Sequence, residues 1–234
     1  MIELNAVTKR YGSITAVDNI SFSVQQGEYM ALLGPNGAGK TTIVRMLLDF
    51  TAPDSGRLSI NGIPCTHAAS RASLGYLAEN PHIPPNLTGL EYLRRCAELS
   101  DIPKSAAIDR CMHIVKLIDM QGREMAKAHT YSKGMIQRFC LGAALLGEPR
   151  LLILDEPTAG LDPIGIRDIR QLLESLKGKG MTILLNSHLL SEVEKICDTA
   201  AIINQGRLLV KNSISSIVKD GETLEDVFVR LVRG

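Results

Sequence analysis

The chain has 234 residues, 26 Lys and Arg against 25 Asp and Glu, and a formal net charge of +1. That balance leaves no basic stripe of the kind that reads nucleic acid, so no nucleic-acid partner is expected, and the 45% apolar share suits a globular chain with a buried core. The cysteines (Cys65, Cys96, Cys111, Cys140, Cys197) form no C-x-x-C pair and the histidines are dispersed, so the thiols read as small buried hydrophobes in a reducing compartment, with no zinc site.

MIELNAVTKRYG, residues 1–12, lacks the apolar stretch of a secretory leader, and the longest apolar runs, LLIL and TILL, are strand-length. They fall far short of the ~20 residues a membrane helix needs. A membrane role would therefore come through a partner.

In chain order, MIELNAV and ITAVDNISFSV alternate as strands, QQG punctuates, and EYMALLG is an apolar strand running into glycines. KTTIVRMLLDF then has helical spacing, PDSG is a turn, and RLSING opens another strand. SLGYLAENPHIPPN starts as a strand and ends in a proline-rich loop. From Thr88 to about Gly147, alternation gives way to helix-period runs such as GLEYLRRCAEL and IDRCMHIVKLI, predicting a mainly helical insertion. Strand–helix alternation then returns with LLILDE, IGIRDIRQLLESLK, MTILLNS, LLSEVEKIC and TAAIINQG, the pattern of an α/β sheet. TLEDVFVRLVRG reads as an amphipathic helix with Leu224, Val227, Phe228 and Leu231 on one face.

Two stretches carry chemistry. GPNGAGKT, Gly34 to Thr41, fits G-x-x-x-x-G-K-[ST] between a predicted strand and a predicted helix. Backbone N–H groups wrap a phosphate only where no Cβ intrudes, and a helix beginning at Lys40 adds its positive end. Lys40 is expected at the β- and γ-phosphates and the Thr41 hydroxyl at Mg²⁺. Further on, LLILDEP puts two carboxylates at the end of a buried strand, where ligands of parallel sheets bind. Asp155 is suited to hold Mg²⁺ and Glu156 to act as general base for a water attacking the γ-phosphate.

With these motifs the chain resembles, over essentially its whole length, the ATP-binding subunit of an ABC transporter. The resemblance implies an α/β P-loop NTPase fold of the ABC type, with a mixed core sheet, an antiparallel β subdomain and an inserted α-helical subdomain. It implies one domain over 1–234: a core and β subdomain from 1–87 and 148–222, a helical subdomain over 88–147, and a C-terminal helix over 223–234. It implies ATP and Mg²⁺ as cofactors. The nucleotide would contact Gly34, Pro35, Asn36, Gly37, Ala38, Gly39, Lys40, Thr41 and Thr42. Tyr11, in KRYG, matches the family's adenine-stacking aromatic, and Val17 a small apolar position near the base. Asp162, in TAGLDP, matches the D-loop aspartate, and His188, in LLNSH, the switch histidine at the γ-phosphate.

YSKGM, Tyr131 to Met135, stands where the family signature is usually LSGGQ. Ser132 and Gly134 survive, and the resemblance implies that they act on a nucleotide bound by another subunit. Lys133 and Met135 depart from the pattern; Lys133 either adds a cation near the phosphates or faces solvent. Glu79, in LGYLAEN, replaces the usual Q-loop glutamine and would bind Mg²⁺ through a carboxylate that repels the γ-phosphate. Both departures and the LEDVF tail resemble a branch paired with separately encoded permeases, many of them exporters. The implied partners are an integral-membrane permease and a second ATPase subunit, as an ATP-dependent homodimer or with a related chain, on the cytoplasmic face of the membrane. The alternative is a soluble ABC ATPase with a non-transport role.

Overall fold

The computed structural model describes residues 1–219 and 221–233, so the last residue of the predicted C-terminal segment, Gly234, lies outside the described residues. In chain order come β1 (Ile2–Tyr11), β2 (Ile14–Val24), β3 (Tyr29–Leu33), α1 (Lys40–Leu47), β4 (Ser55–Ile60), β5 (Ile63–Pro64), β6 (Leu74–Leu77), α2 (Gly89–Leu99) and α3 (Lys104–Leu117). There follow α4 (Lys133–Leu145), β7 (Leu151–Asp155), α5 (Pro163–Lys177), β8 (Thr182–Asn186), α6 (Leu190–Ile196), β9 (Thr199–Asn204), β10 (Arg207–Ser213), α7 (Ile214–Ile217) and α8 (Leu224–Arg233). They group into two compact units, residues 1–72 with 180–234, and residues 73–179.

The first unit holds an antiparallel sheet in the order β2-β1-β4-β5. Strand β1 alternates only in part, because register shifts separate Leu4 from Val7 on its β2 edge and Asn5 from Thr8 on its β4 edge. Such bulges bend a strand and re-aim the side chains beyond them. The unit also contains β3 parallel to both β8 and β9, with β10 antiparallel to β9, so the core sheet is mixed. Every residue of β3 and β8 is buried. That is why both read as apolar runs: helices cover both faces of a parallel sheet, and each fully buried aliphatic contributes roughly 1.5–3 kcal/mol. Helix α8 buries Leu224 and Val227 against this unit, with Phe228 and Leu231 half-buried, and its Val232 carbonyl accepts from Asn204 Nδ2 at 3.2 Å.

The second unit pairs β6 parallel to β7 and carries α2 to α5. It contains the predicted helical span 88–147 together with β6, β7 and α5. Helix α2 starts at a capping box: the Thr88 side chain accepts from the Glu91 amide at 3.1 Å, and the Glu91 carboxylate accepts from the Thr88 amide at 2.7 Å. Satisfying two orphan donors at once sets this start. Asp162 caps α5, accepting from the Gly165 amide at 2.8 Å ahead of Pro163 in the first turn. Among the described residues, no helix is long and apolar enough to cross a membrane.

Candidate functional site

The first unit presents the phosphate loop as the sequence predicts it, between β3 and α1. Gly39 caps α1 with φ 107°, a conformation that L side chains rarely adopt, and a Cβ there would stand 2.3 Å from the Ala16 carbonyl oxygen. A Cβ on Gly34 would stand 2.3 Å from the Ile203 carbonyl oxygen. The loop is also tied down by Gly206, whose amide donates to the Ala38 carbonyl at 3.0 Å. The Lys40 ammonium donates to the carbonyls of Gly34 at 2.6 Å and Pro35 at 3.0 Å. Asn36, Gly37 and Thr41 are exposed, Pro35 and Thr42 half-buried, and Ala38 buried. The result is an anion cradle at a helix N-terminus, with the Lys40 ammonium held against the carbonyls of its first two residues.

The flank of this cradle is β2. Val17 is fully buried, and its Cγ2 lies 3.4 Å from where a Cβ on Gly39 would be. Tyr11 ends β1 with 46% of its surface open. His188 is exposed in the segment after β8, where Ser187 Oγ accepts from the Leu189 amide at 3.2 Å.

The second unit holds the acidic strand end. Asp155 closes β7 and is 3% exposed. Glu156 follows with φ 50°, a left-handed backbone at a non-glycine residue, and its carbonyl accepts from the Ala159 amide at 3.1 Å. Such a conformation costs roughly 1–3 kcal/mol and collects at functional positions. Glu79 is exposed beyond β6.

The YSKGM segment starts α4. Ser132 is its N-cap, with Oγ accepting from the Met135 amide at 3.3 Å, as its residue type predicts. Ser132 is exposed and Gly134 half-buried, with Leu161 Cδ2 3.8 Å from where a Cβ on Gly134 would stand. Lys133 is exposed, as its solvent alternative has it. Its Nζ lies 2.4 Å from the Cβ position of Gly160, so its side chain folds over the loop leading to Asp162. Gly160, with φ 69°, leaves the room that a side chain would take. A cavity of about 460 Å³ opens here, lined by Ser132, Lys133, Gly134, Arg138, Gly160 and Asp162 among others.

Two residues of this region have structural roles that sequence reasoning missed. Arg138 pairs with Asp168 of α5, lies 3.6 Å from the Asp119 carboxylate, and is within 3.5 Å of the Ile118 and Asp119 carbonyls beyond α3. It ties the YSKGM helix to both neighbours. Tyr131 is buried, and its hydroxyl meets Gly89 at the start of α2, forty-two positions away. The only hint in the sequence is an aromatic at a position where the family usually has leucine.

Thr41 in the first unit, and Asp155 and Glu79 in the second, each carry oxygen donors of the kind Mg²⁺ prefers. No group of three or more His, Cys, Asp or Glu side chains fit to hold a metal occurs among the described residues.

Comparison with known proteins matches this geometry to one family. The family model described as ABC transporter matches residues 17–159. An uncharacterized ABC transporter ATP-binding protein of Nostoc sp. (strain PCC 7120) is 42% identical over 215 residues, covering 90% of this chain and 63% of the relative. The bacitracin transport ATP-binding protein BcrA of Bacillus licheniformis is 42% identical over 212 residues, 89% of this chain and 68% of BcrA. The chain thus spans less than two thirds of the Nostoc relative's length. A solved structure of an ATP binding subunit of an ABC transporter superposes with a TM-score of 0.88 at 30% identity, covering 99% of each chain. A glycine cradle, a buried aspartate followed by a strained glutamate, and this likeness along nearly the full chain lead to one statement: the chain belongs to the ABC transporter family and has its ATP-binding fold.

Proposed function

We propose that the chain is the ATP-hydrolysing, energy-coupling subunit of an ABC transporter, driving substrate translocation, in the export direction, through a separate integral-membrane permease. The observation that carries the ATP reading is the phosphate loop, where a Cβ at Gly34 or Gly39 would strike backbone oxygen at 2.3 Å. Glycine at these positions lets the loop pack this closely on β2 and β9, which holds its N–H groups at the start of α1, where a polyphosphate binds. The transport reading is supported by family membership and by the BcrA name, which refers to bacitracin transport. The departures at Lys133, Met135 and Glu79 support the export lean.

In this reading Gly34 to Thr42 bind the phosphates, Tyr11 stacks on adenine, and Val17 lies beside the base. Thr41, Asp155 and Glu79 would hold Mg²⁺, which when bound would offset phosphate charge. Glu156 accepts a proton from water as its oxygen bonds to the γ-phosphorus, and the bond to the β–γ bridging oxygen breaks to give ADP and phosphate. Lys40 and the loop amides stabilise the charge gathering on the leaving oxygen. His188 orients the γ-phosphate and the water. Ser132, Gly134 and Asp162 serve the nucleotide of a second subunit, so a head-to-tail C2 dimer, of two copies or with a related chain, completes two sites. The complex sits peripherally on the cytoplasmic face of the membrane.

The test is Glu156→Gln in the full chain. ATP binding is retained, while turnover falls at least about a hundredfold. Unchanged turnover removes Glu156 from the role of base. Co-purification with a multi-helix membrane protein supports the transporter reading; recovery with ribosomes or DNA instead establishes the soluble alternative.

A further inference from the structure

The turn PDSG places Asp54 just before β4. Its amide donates to the Thr8 carbonyl at 2.9 Å. Its carboxylate accepts from the Arg10 amide at 2.5 Å and from Lys9 Nζ at 3.2 Å. One aspartate thus ties three successive residues of β1 immediately before Tyr11. The Lys9 side chain is only 14% exposed, which is unusual for a lysine with no other task than solvation. Its Nζ stands over the Tyr11 ring, 5.5 Å from the centroid.

Register carries the arrangement to the phosphate loop. Lys9 pairs with Val17 and Tyr11 with Ile14 across the β1–β2 hairpin, and Val17 is the residue packed beside Gly39. The ring therefore stands on a hairpin whose other strand borders the anion cradle.

We propose that Lys9 and Asp54 are positioning residues for Tyr11, holding its ring as a preset platform for the purine of the bound nucleotide; this rests on the reading of Tyr11 as the base-stacking residue. A cation is attracted to the negative face of an aromatic ring, so the ammonium occupies one face and directs a base to the other. Asp54 supplies the second half of the device, since a lysine left free would spend its time in water. A surface ion pair of this kind adds little to folding. Its effect falls on binding, because a ring already fixed loses less freedom when the base arrives. The Arg10 amide, followed by the Lys9 ammonium, holds the Asp54 carboxyl below its usual range, so the carboxylate is charged at neutral pH.

The experiment uses the full chain and two probes, ATP and inorganic tripolyphosphate, titrated by calorimetry without Mg²⁺. Lys9→Met weakens ATP about three- to tenfold, the span of a cation–π contact, and leaves tripolyphosphate unchanged. Lys9→Arg, which keeps a cation over the ring, restores ATP affinity. Tyr11→Ala weakens ATP at least about fivefold, the lower end of base stacking, and adding Lys9→Met to it changes nothing further. Equal loss for ATP and tripolyphosphate, or a Lys9→Met effect that persists in Tyr11→Ala, overturns the proposal. If Tyr11→Ala lowers ATP affinity while Lys9→Met does not, only the positioning fails. If Tyr11→Ala has no effect, the stacking reading fails with it.

Discussion

The buried hydroxyl of Tyr131 offers a sharp test of how the YSKGM segment is anchored. Its oxygen accepts from the Gly89 amide at 3.0 Å and lies 2.8 Å from the carbonyls of both Arg123 and Ala126. A phenol has one proton, so it donates to one carbonyl at a time while accepting from Gly89. Burial, the largest effect, pushes the phenol up from its ordinary value, which keeps that proton in place. The Gly89 amide is the first of α2, one of the four that a helix cannot satisfy internally. Tyr131→Phe keeps the ring, and with it the stack on Phe139 at 5.1 Å between centroids and 9° between planes. It removes only the oxygen. A buried amide left without its acceptor costs roughly 1–3 kcal/mol. A loss of about 2 kcal/mol lowers Tm by about 4–8 °C in a chain of this size. Thermal and urea unfolding of the full chain measure this, and a Tm within about 1 °C of the parent refutes the argument. Tyr131→Leu removes the stack as well, a further loss of about 0.5–1.5 kcal/mol. If the leucine variant equals the phenylalanine one, the ring pair contributes nothing.

Ser132→Ala removes the cap of α4 at a cost of about 0.5–2 kcal/mol. It impairs hydrolysis while leaving monomer ATP affinity intact, and a collapse of monomer binding in titration contradicts a role on the second subunit's nucleotide. Gly39→Ala forces a Cβ to 2.3 Å from the Ala16 oxygen at φ 107°, and calorimetry should show ATP affinity lost with the chain still folded. Burial pushes the Cys65 and Cys140 thiols up to about 11 from 9.0. In the folded chain both should resist iodoacetamide at pH 8 and react after denaturation; fast native labelling counts against their burial. For the same reason their contribution to stability, present below pH 9, is lost as pH rises towards 11.

The phosphate loop and the acidic strand end were legible because their chemistry is local. Glycine, lysine and threonine at fixed spacing, or two carboxylates after an apolar run, carry their reason within eight residues or fewer. Ser132 as a helix cap was of the same kind: a short oxygen-bearing side chain next to a helix start. Asp162, read only as the D-loop aspartate, showed its capping of α5 in the structure. Lys133 was legible only in part. The sequence offers phosphate or solvent for its ammonium, and the residue is exposed, but nothing local names Gly160, because the loop after β7 is brought to the start of α4 only by packing.

What the sequence alone determined, then, is the set of short-range devices: the anion cradle, the paired carboxylates, the capped helices, and the alternation of strands and helices that builds a mixed sheet. Each depends on periodicity or spacing along the chain. Tertiary structure decided which distant backbone oxygens forbid a Cβ at Gly34 and Gly39, and that Tyr131 would lock the start of α2. It also decided that Asp54, from a turn before β4, would reach Lys9 beneath the Tyr11 ring, and that Glu156 would take a left-handed backbone. These are contacts between segments far apart in the chain, or strain imposed by them. No local pattern encodes them, because their energies exist only once the segments have met.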